Sequence, residues 1–138
     1  FVVCNCAALP ETLIESELFG YQKGAFTGAH ADKEGLIETA HQGVLFLDEV
    51  GELPPLSQAK LLRAIQNQEV QRLGSNTPRQ VNVRIVAATN RPLRSLIANK
   101  QFREDLYFRM AMVEIKLPPL VERKQDLPLL VRHFLEYF

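Results

Sequence analysis

Tryptophan is absent from the 138 residues, cysteine and methionine occur twice each, and neither sign of charge is in surplus, with 16 basic against 16 acidic side chains. Two cysteines cannot staple a small secreted scaffold. Cys4 and Cys6 stand two apart in a strand-like run, which puts them on one face and too close for an easy disulfide. His30, His41 and His133 are scattered, so nothing completes a zinc site. The pair reads as reduced, buried thiols in a cytosolic protein. Long apolar runs are missing too, which excludes a membrane-spanning helix. The opening FVVCNC carries neither a basic leader nor a cleavage pattern, so no secretory signal is visible. A start at Phe1, inside an apparent strand, leads us to expect a piece of a longer protein.

What is present is ordinary globular composition, 46% hydrophobic and 23% charged, enough for one domain with a buried core and against disorder. The balanced charge is unevenly placed. Residues 1–69 hold four basic and ten acidic side chains, whereas residues 70–103 hold seven basic ones (Arg72, Arg79, Arg84, Arg91, Arg94, Lys100, Arg103) and no acidic one. Such a segment is either a surface facing phosphate or a partner, or a solvated face without a role.

Three short apolar runs end in polar residues: Phe1–Cys4 at Asn5, Val44–Leu47 at Asp48-Glu49, and Val83 with Ile85–Ala88 at Thr89-Asn90. Continuous β-branched runs of this length predict parallel strands buried on both faces. Helical spacing separates them. Pro10 opens one helix through Leu13, Ile14 and Leu18, and Ser57 is the expected cap of another containing Leu61, Leu62 and Ile65. Short helices are predicted at Leu93–Ile97 and Glu104–Met110, a strand at Val113–Leu117, and a final helix at Asp126–Phe138 striped by Leu129, Leu130, Phe134 and Leu135. That last stripe has little left in the chain to pack on. The pattern is α/β with crossover connections.

Ligands of open α/β sheets bind beyond the carboxyl ends of the strands, where Asn5, Asp48, Glu49 and Asn90 would gather. The first carboxylate of the Asp-Glu pair suits water-mediated Mg²⁺ and nucleotide phosphates, and the second suits orienting or deprotonating a water. The plain alternative is two carboxylates at a strand end entering a loop. No G-x-x-x-x-G-K-[ST] cradle accompanies them: Gly20, Gly24 and Gly28 are spaced by four but lack the Lys-Ser or Lys-Thr. Those glycines bracket Phe26 in a flexible loop, which either presents the ring at its tip or lets it fold back on the core.

The string ESELFG…GAFTGA followed by GVLFLDEV closely resembles the central AAA+ ATPase domain of bacterial sigma-54-dependent transcriptional activators. Asn5-Cys6-Ala7-Ala8-Leu9, Ala88-Thr89-Asn90, Phe102–Leu106 and Leu117–Leu120 extend the resemblance over essentially the whole chain. It implies a parallel-sheet AAA+ P-loop fold whose phosphate loop precedes Phe1 and whose lid subdomain begins in residues 121–138, after an α/β core over 1–120. It implies ATP and Mg²⁺ as cofactors. Asp48 and Glu49 match the Walker B pair, Asn5 the residue that holds the glutamate inactive, and Thr89 and Asn90 the sensor of the γ-phosphate. Arg103 and Arg109 match arginine fingers reaching a neighbouring subunit's ATP. Being six apart, they would lie about 120° apart on a continuous helix, so the helix is broken between them or only one reaches the phosphate.

The same resemblance makes Gly24, Ala25, Phe26, Thr27, Gly28 and Ala29 the loop that contacts sigma-54. Leu73 to Asn82 becomes a second pore-facing loop, flanked by Arg72 and Arg79 with promoter DNA as a neighbour. The implied activity is ATP hydrolysis in a cytoplasmic, hexameric homo-oligomer that remodels sigma-54 RNA polymerase, and the truncated chain alone is expected to be inactive. Tyr21-Gln22 departs from the family's usual His-Glu, and Val44 from its usual Thr, neither at a chemical position. A generic AAA+ remodeller and a non-catalytic interaction module are the competing readings, separated by the Phe26 loop and by nucleotide binding.

Overall fold

The computed structural model describes residues 1–137; Phe138, the end of the predicted last helix, lies outside the described residues. Three parallel strands organise the molecule: β1 (Val2–Asn5), β4 (Gly43–Asp48) and β7 (Val83–Ala87), in the order β1-β4-β7. Between β1 and β4 lie α1 (Glu11–Phe19), the antiparallel pair β2 (Gly20–Tyr21) and β3 (Lys33–Glu34), and α2 (Leu36–Thr39). Between β4 and β7 lie α3 (Pro55–Asn67) and a second antiparallel pair, β5 (Glu69–Val70) with β6 (Arg79–Gln80). After β7 come α4 (Leu93–Ala98), α5 (Glu104–Met110) and α6 (Leu127–Tyr137).

The register places Val2 beside Leu45 and Ile85, and Cys4 beside Leu47. Side chains alternate across a strand, so these share one face. That face carries the core: Cys4, Leu45 and Leu47 form one buried cluster with Ile14, Leu18 and Phe19 of α1, Leu61 and Leu62 of α3, Leu96 of α4 and Leu106 of α5. The opposite face carries Val3, Phe46 and Val86 in register, and there Val3 and Val86 stay exposed while Phe1 stacks on Phe46. The expectation of burial on both faces is therefore corrected. Every helix in the core cluster lies on one side, and a continuous apolar run cannot tell whether its second face is covered within the same chain.

The helix starts follow from proline. Pro10 stands at the N-cap of α1, and Pro54 and Pro55 at the N-cap and first position of α3, where the missing N–H costs nothing. Ser57 is not the cap: it lies inside the first turn of α3 and is buried. Gly20 closes α1 at φ 73°, and a Cβ there would sit 2.4 Å from the Lys33 carbonyl oxygen. Only glycine fits where the helix end meets β3.

The strand expected at Val113–Leu117 does not form. The segment is unpaired, with Val113 and Ile115 about four-fifths exposed (80% and 79%). Alternation describes a two-faced segment, but a strand also needs an edge to bond to, and no strand among the described residues pairs with it. Beyond it α6 keeps Leu129, Phe134 and Leu135 exposed, as its stripe led us to expect. No helix among the described residues is long and apolar enough to cross a membrane.

Candidate functional site

The parallel register sets Asn5 directly beside Asp48 at the carboxyl edge, and the chain leaves β7 one strand further on towards Thr89 and Asn90. Asn5 Oδ1 accepts the N–H groups of Ala7 (2.9 Å) and Ala8 (3.2 Å), and its Nδ2 donates to Asp48 Oδ2 at 3.5 Å. Asp48 Oδ1 accepts the Glu49 N–H at 3.0 Å. Glu49 itself is left-handed, φ 51° and ψ 47°, a conformation costing a non-glycine residue roughly 1–2 kcal/mol. That turn swings the chain off β4 into the 3₁₀ turn Val50–Glu52 and brings Glu49 Oε2 within 3.1 Å of the Asn90 N–H, which donates to it. The sequence resemblance assigns Asn5 to Glu49; here its amide meets Asp48, and Asn90 holds the glutamate.

Thr89 Oγ1 accepts the Arg91 N–H at 3.1 Å, and Arg91 Nη1 reaches Glu52 Oε2 at 3.0 Å, so the segment after β7 grips the turn after β4. The edge therefore offers two half-buried carboxylates, that of Asp48 anchored by the Glu49 N–H and that of Glu49 by the Asn90 N–H. No group of three metal-binding side chains exists among the described residues. The donor set fits a hard cation only through Asp48 together with water and ligand oxygens, the habit of Mg²⁺ with phosphates.

The glycine-bracketed loop is folded down. Gly24 N–H donates to the Ala29 carbonyl (2.8 Å) and Ala29 N–H to that of Phe26 (3.0 Å), closing residues 24–29 into a turn. The Phe26 ring meets Tyr21 edge-on, centroids 4.9 Å apart, and remains 45% exposed. It is neither in the core nor free of the protein. The loop rests on the second one: Leu73 N–H donates to the Gly20 carbonyl and Gln22 N–H to that of Leu73, both at 2.9 Å. Gly74, at φ 76°, lies so close to Ala25 that an added Cβ would be 2.8 Å from the alanine's own.

Arg72 is not available to DNA. Its side chain is 5% exposed, with Nε 2.6 Å from Glu38 Oε1 and Nη2 2.8 Å from Glu38 Oε2. Glu34 lies at 3.3 Å and Asp32 at 4.0 Å, and Arg79 adds a contact to Glu38 at 3.5 Å. The hydrogen bonds to Glu38 above all, then the charges of Glu34 and Asp32, outweigh burial and raise the guanidinium pKa. Basic residues of 70–103 thus meet the acidic surplus of 1–69 inside the fold. No local sequence pattern marks Glu38, whose carboxylate's partners lie 34 and more positions away.

The sigma-54 interaction domain model matches residues 1–116. The chain belongs to the sigma-54 interaction domain family. Over all 138 residues it is 57% identical to the Nif-specific regulatory protein of Bradyrhizobium diazoefficiens, covering 24% of that protein. It is 59% identical over 132 residues, 96% of the chain, to the nitric oxide reductase transcription regulator NorR2 of Cupriavidus necator, covering 25% of it. The crystal structure of NtrX from Brucella abortus in complex with ADP superimposes with a TM-score of 0.89 at 37% identity, over 99% of this chain and 29% of NtrX. The chain spans about a quarter of the length of these relatives. The AAA+ α/β fold expected from the sequence is the one found.

Within this sigma-54 interaction domain the two candidate arginine fingers are not on one helix. Arg103 is the N-cap of α5, extended at φ −78° and ψ 129°, so the helical repeat does not relate it to Arg109 in the last turn. Its guanidinium is bidentate on Asp105, at 3.0 and 2.6 Å, and that hydrogen bonding, with the arginine's charge, holds the Asp105 carboxyl below its ordinary value. Arg109 is exposed. Among the described residues neither is bonded to Asp48 or Glu49. Cys4 and Cys6 are buried, unoxidised thiols, and the Cys6 N–H donates to the Asp48 carbonyl at 2.9 Å. His41 Nδ1 accepts the Asn82 N–H, a structural contact.

Proposed function

We propose that this chain is the nucleotide-hydrolysing and sigma-54-contacting core of a transcriptional activator that remodels sigma-54 RNA polymerase. The observation that carries the reading is the placement of Glu49, whose left-handed backbone delivers its carboxylate to the Asn90 N–H at the strand edge beside Asp48. Asp48 would hold Mg²⁺ through water, and Glu49, once released from Asn90, orients a water and takes its proton. Bound ATP with Mg²⁺ supplies the phosphoryl group. Thr89 and Asn90 read the γ-phosphate, and Asn5 sets the position of the acidic pair through Asp48.

Arg103 and Arg109 act on the nucleotide of the adjacent subunit in a cytoplasmic homo-oligomeric ring, a hexamer, which requires Arg103 to exchange Asp105 for phosphate. The phosphate cradle comes from sequence before Phe1, and residues 121–138 begin the lid. Residues 24–29 meet sigma-54 with Phe26 at the contact, and promoter or enhancer DNA is met through this or other domains of the protein. Solved complexes of the related NtrX with ADP and with ATP support a nucleotide in this fold.

The test traps the full-length protein with ADP and aluminium fluoride and asks by native gel whether it binds purified sigma-54. A complex formed by the wild type and lost in Phe26→Ala, with ATP turnover intact in both, is the expected result. Turnover without any complex would leave a motor acting on something else. Glu49→Gln is expected to keep ATP binding and lose turnover; loss of binding would make Glu49 structural.

A further inference from the structure

Gln58 is the largest fully buried polar side chain without a charge, 1% exposed in the second turn of α3. Its amide is nearly saturated. Nε2 donates to the Leu53 carbonyl at 2.7 Å and to the Gln101 carbonyl at 2.9 Å, and Oε1 accepts the Arg103 N–H at 2.8 Å. All three partners are backbone groups, and they belong to two loops far apart in sequence. Leu53 ends the turn that follows Asp48 and Glu49, while Gln101 and Arg103 form the approach to α5. A leucine or methionine would fill the same space in α3, so the amide answers a need of the loops and not of the helix.

The turn Val50–Glu52 is gripped on its other side by the segment after β7. Val50 N–H donates to the Ala88 carbonyl at 3.0 Å, and Arg91 Nη1 to the Gly51 carbonyl at 3.3 Å. Glu49 and Asn90 stand at the head of this junction, and Gln58 closes its far end. The side chain of Phe102 is buried next to Arg103, so the arginine's backbone is held on both counts while its guanidinium projects among exposed groups. A fixed base with an exposed head is how a charge is aimed at a target outside the subunit.

We infer that Gln58 is a positioning residue for phosphoryl transfer between subunits, tying the Arg103 backbone to the turn that follows Asp48 and Glu49. This rests on the reading of Arg103 as a finger acting on the neighbour. It makes the placement of that finger depend on the geometry of the subunit's own carboxylate turn, through one amide.

The experiment uses full-length rings, with assembly checked by light scattering. Gln58→Met is expected to bind ATP within about twofold of wild type and to lose turnover by about a hundredfold, the scale of a 1 Å misplacement. The deciding measurement mixes Gln58→Met subunits with Glu49→Gln subunits, which have an intact finger and a dead carboxylate. Recovery of turnover in the mixture is expected, because the intact site of the first meets the intact finger of the second. No recovery, when Arg103→Ala mixed with Glu49→Gln does recover, overturns the role of Gln58. No recovery in either mixture overturns the finger reading of Arg103 and the inference with it. If Gln58→Met does not assemble, hydrogen exchange in the wild-type ring decides: an Arg103 amide as slow as the interior of α3 supports the anchor, and one exchanging freely refutes it.

Discussion

Removing Arg72 tests whether the two loops are joined by charge or only by their backbone bonds. In Arg72→Met the Glu38 carboxylate, on a side chain only 9% exposed, loses the two hydrogen bonds at 2.6 and 2.8 Å. Breaking a buried pair from one side costs about 3–5 kcal/mol because the other charge is left unpaired. Two features place this case at the lower end. Arg79 already stands 3.5 Å from Glu38 and can take over part of the role. Glu34 and Asp32 carry well-exposed carboxylates whose contribution is some tenths of a kcal/mol. About 3 kcal/mol is therefore expected, a midpoint lower by about 1–2 M urea at a slope near 2 kcal/mol/M.

Urea is the right denaturant for this variant, since guanidinium would screen the charges being measured. The guanidinium pKa lies above its ordinary value, so its contribution is fully present below that value and a scan around neutrality leaves it untouched. The double variant Arg72→Met, Glu38→Met should recover most of the loss, because an apolar pair of similar volume leaves no orphaned charge. A single variant with an unchanged midpoint, or a double variant as unstable as the single, would refute the argument and leave the loops held by Gly20, Gln22 and Leu73 alone.

Phe26→Ala should cost no more than about 1 kcal/mol of stability, the worth of one edge-on aromatic contact on a half-exposed ring, as measured by the same urea titration. Asp105 should titrate below its ordinary 3.8 by NMR and return towards it in Arg103→Ala. Its folded pKa is depressed, so the pair's contribution is present above 3.8 and is lost as pH falls through the lowered value. Cys6 should resist iodoacetamide in the folded protein and react only after denaturation. The hydrogen bond with Cys4 and burial both push its thiol up, far above the range in which a thiolate forms.

Much of this fold is written locally. Three apolar runs ending in Asn5, in Asp48-Glu49 and before Thr89-Asn90 were enough to predict parallel strands with their polar residues at one edge. The register bears this out, because side-chain period and run length report directly on a strand. Pro10 and the spacing of Leu13, Ile14 and Leu18 determined α1, and the bounds of α5 were legible to the residue. Only the tertiary structure decided the rest. The Val113–Leu117 alternation lacked a partner strand, and the apolar second face of the sheet lacked a cover, both properties of the surroundings and not of the segment. Arg72 looked like part of a basic surface until the fold placed Glu38, 34 positions away in sequence, against it. Gln58, one polar residue in an otherwise ordinary helix, acquires its partners only when Leu53, Gln101 and Arg103 converge on it. Strand and helix patterns are set by neighbours along the chain, whereas the pairing of a buried charge or amide is set by what packing brings within about 3 Å of it.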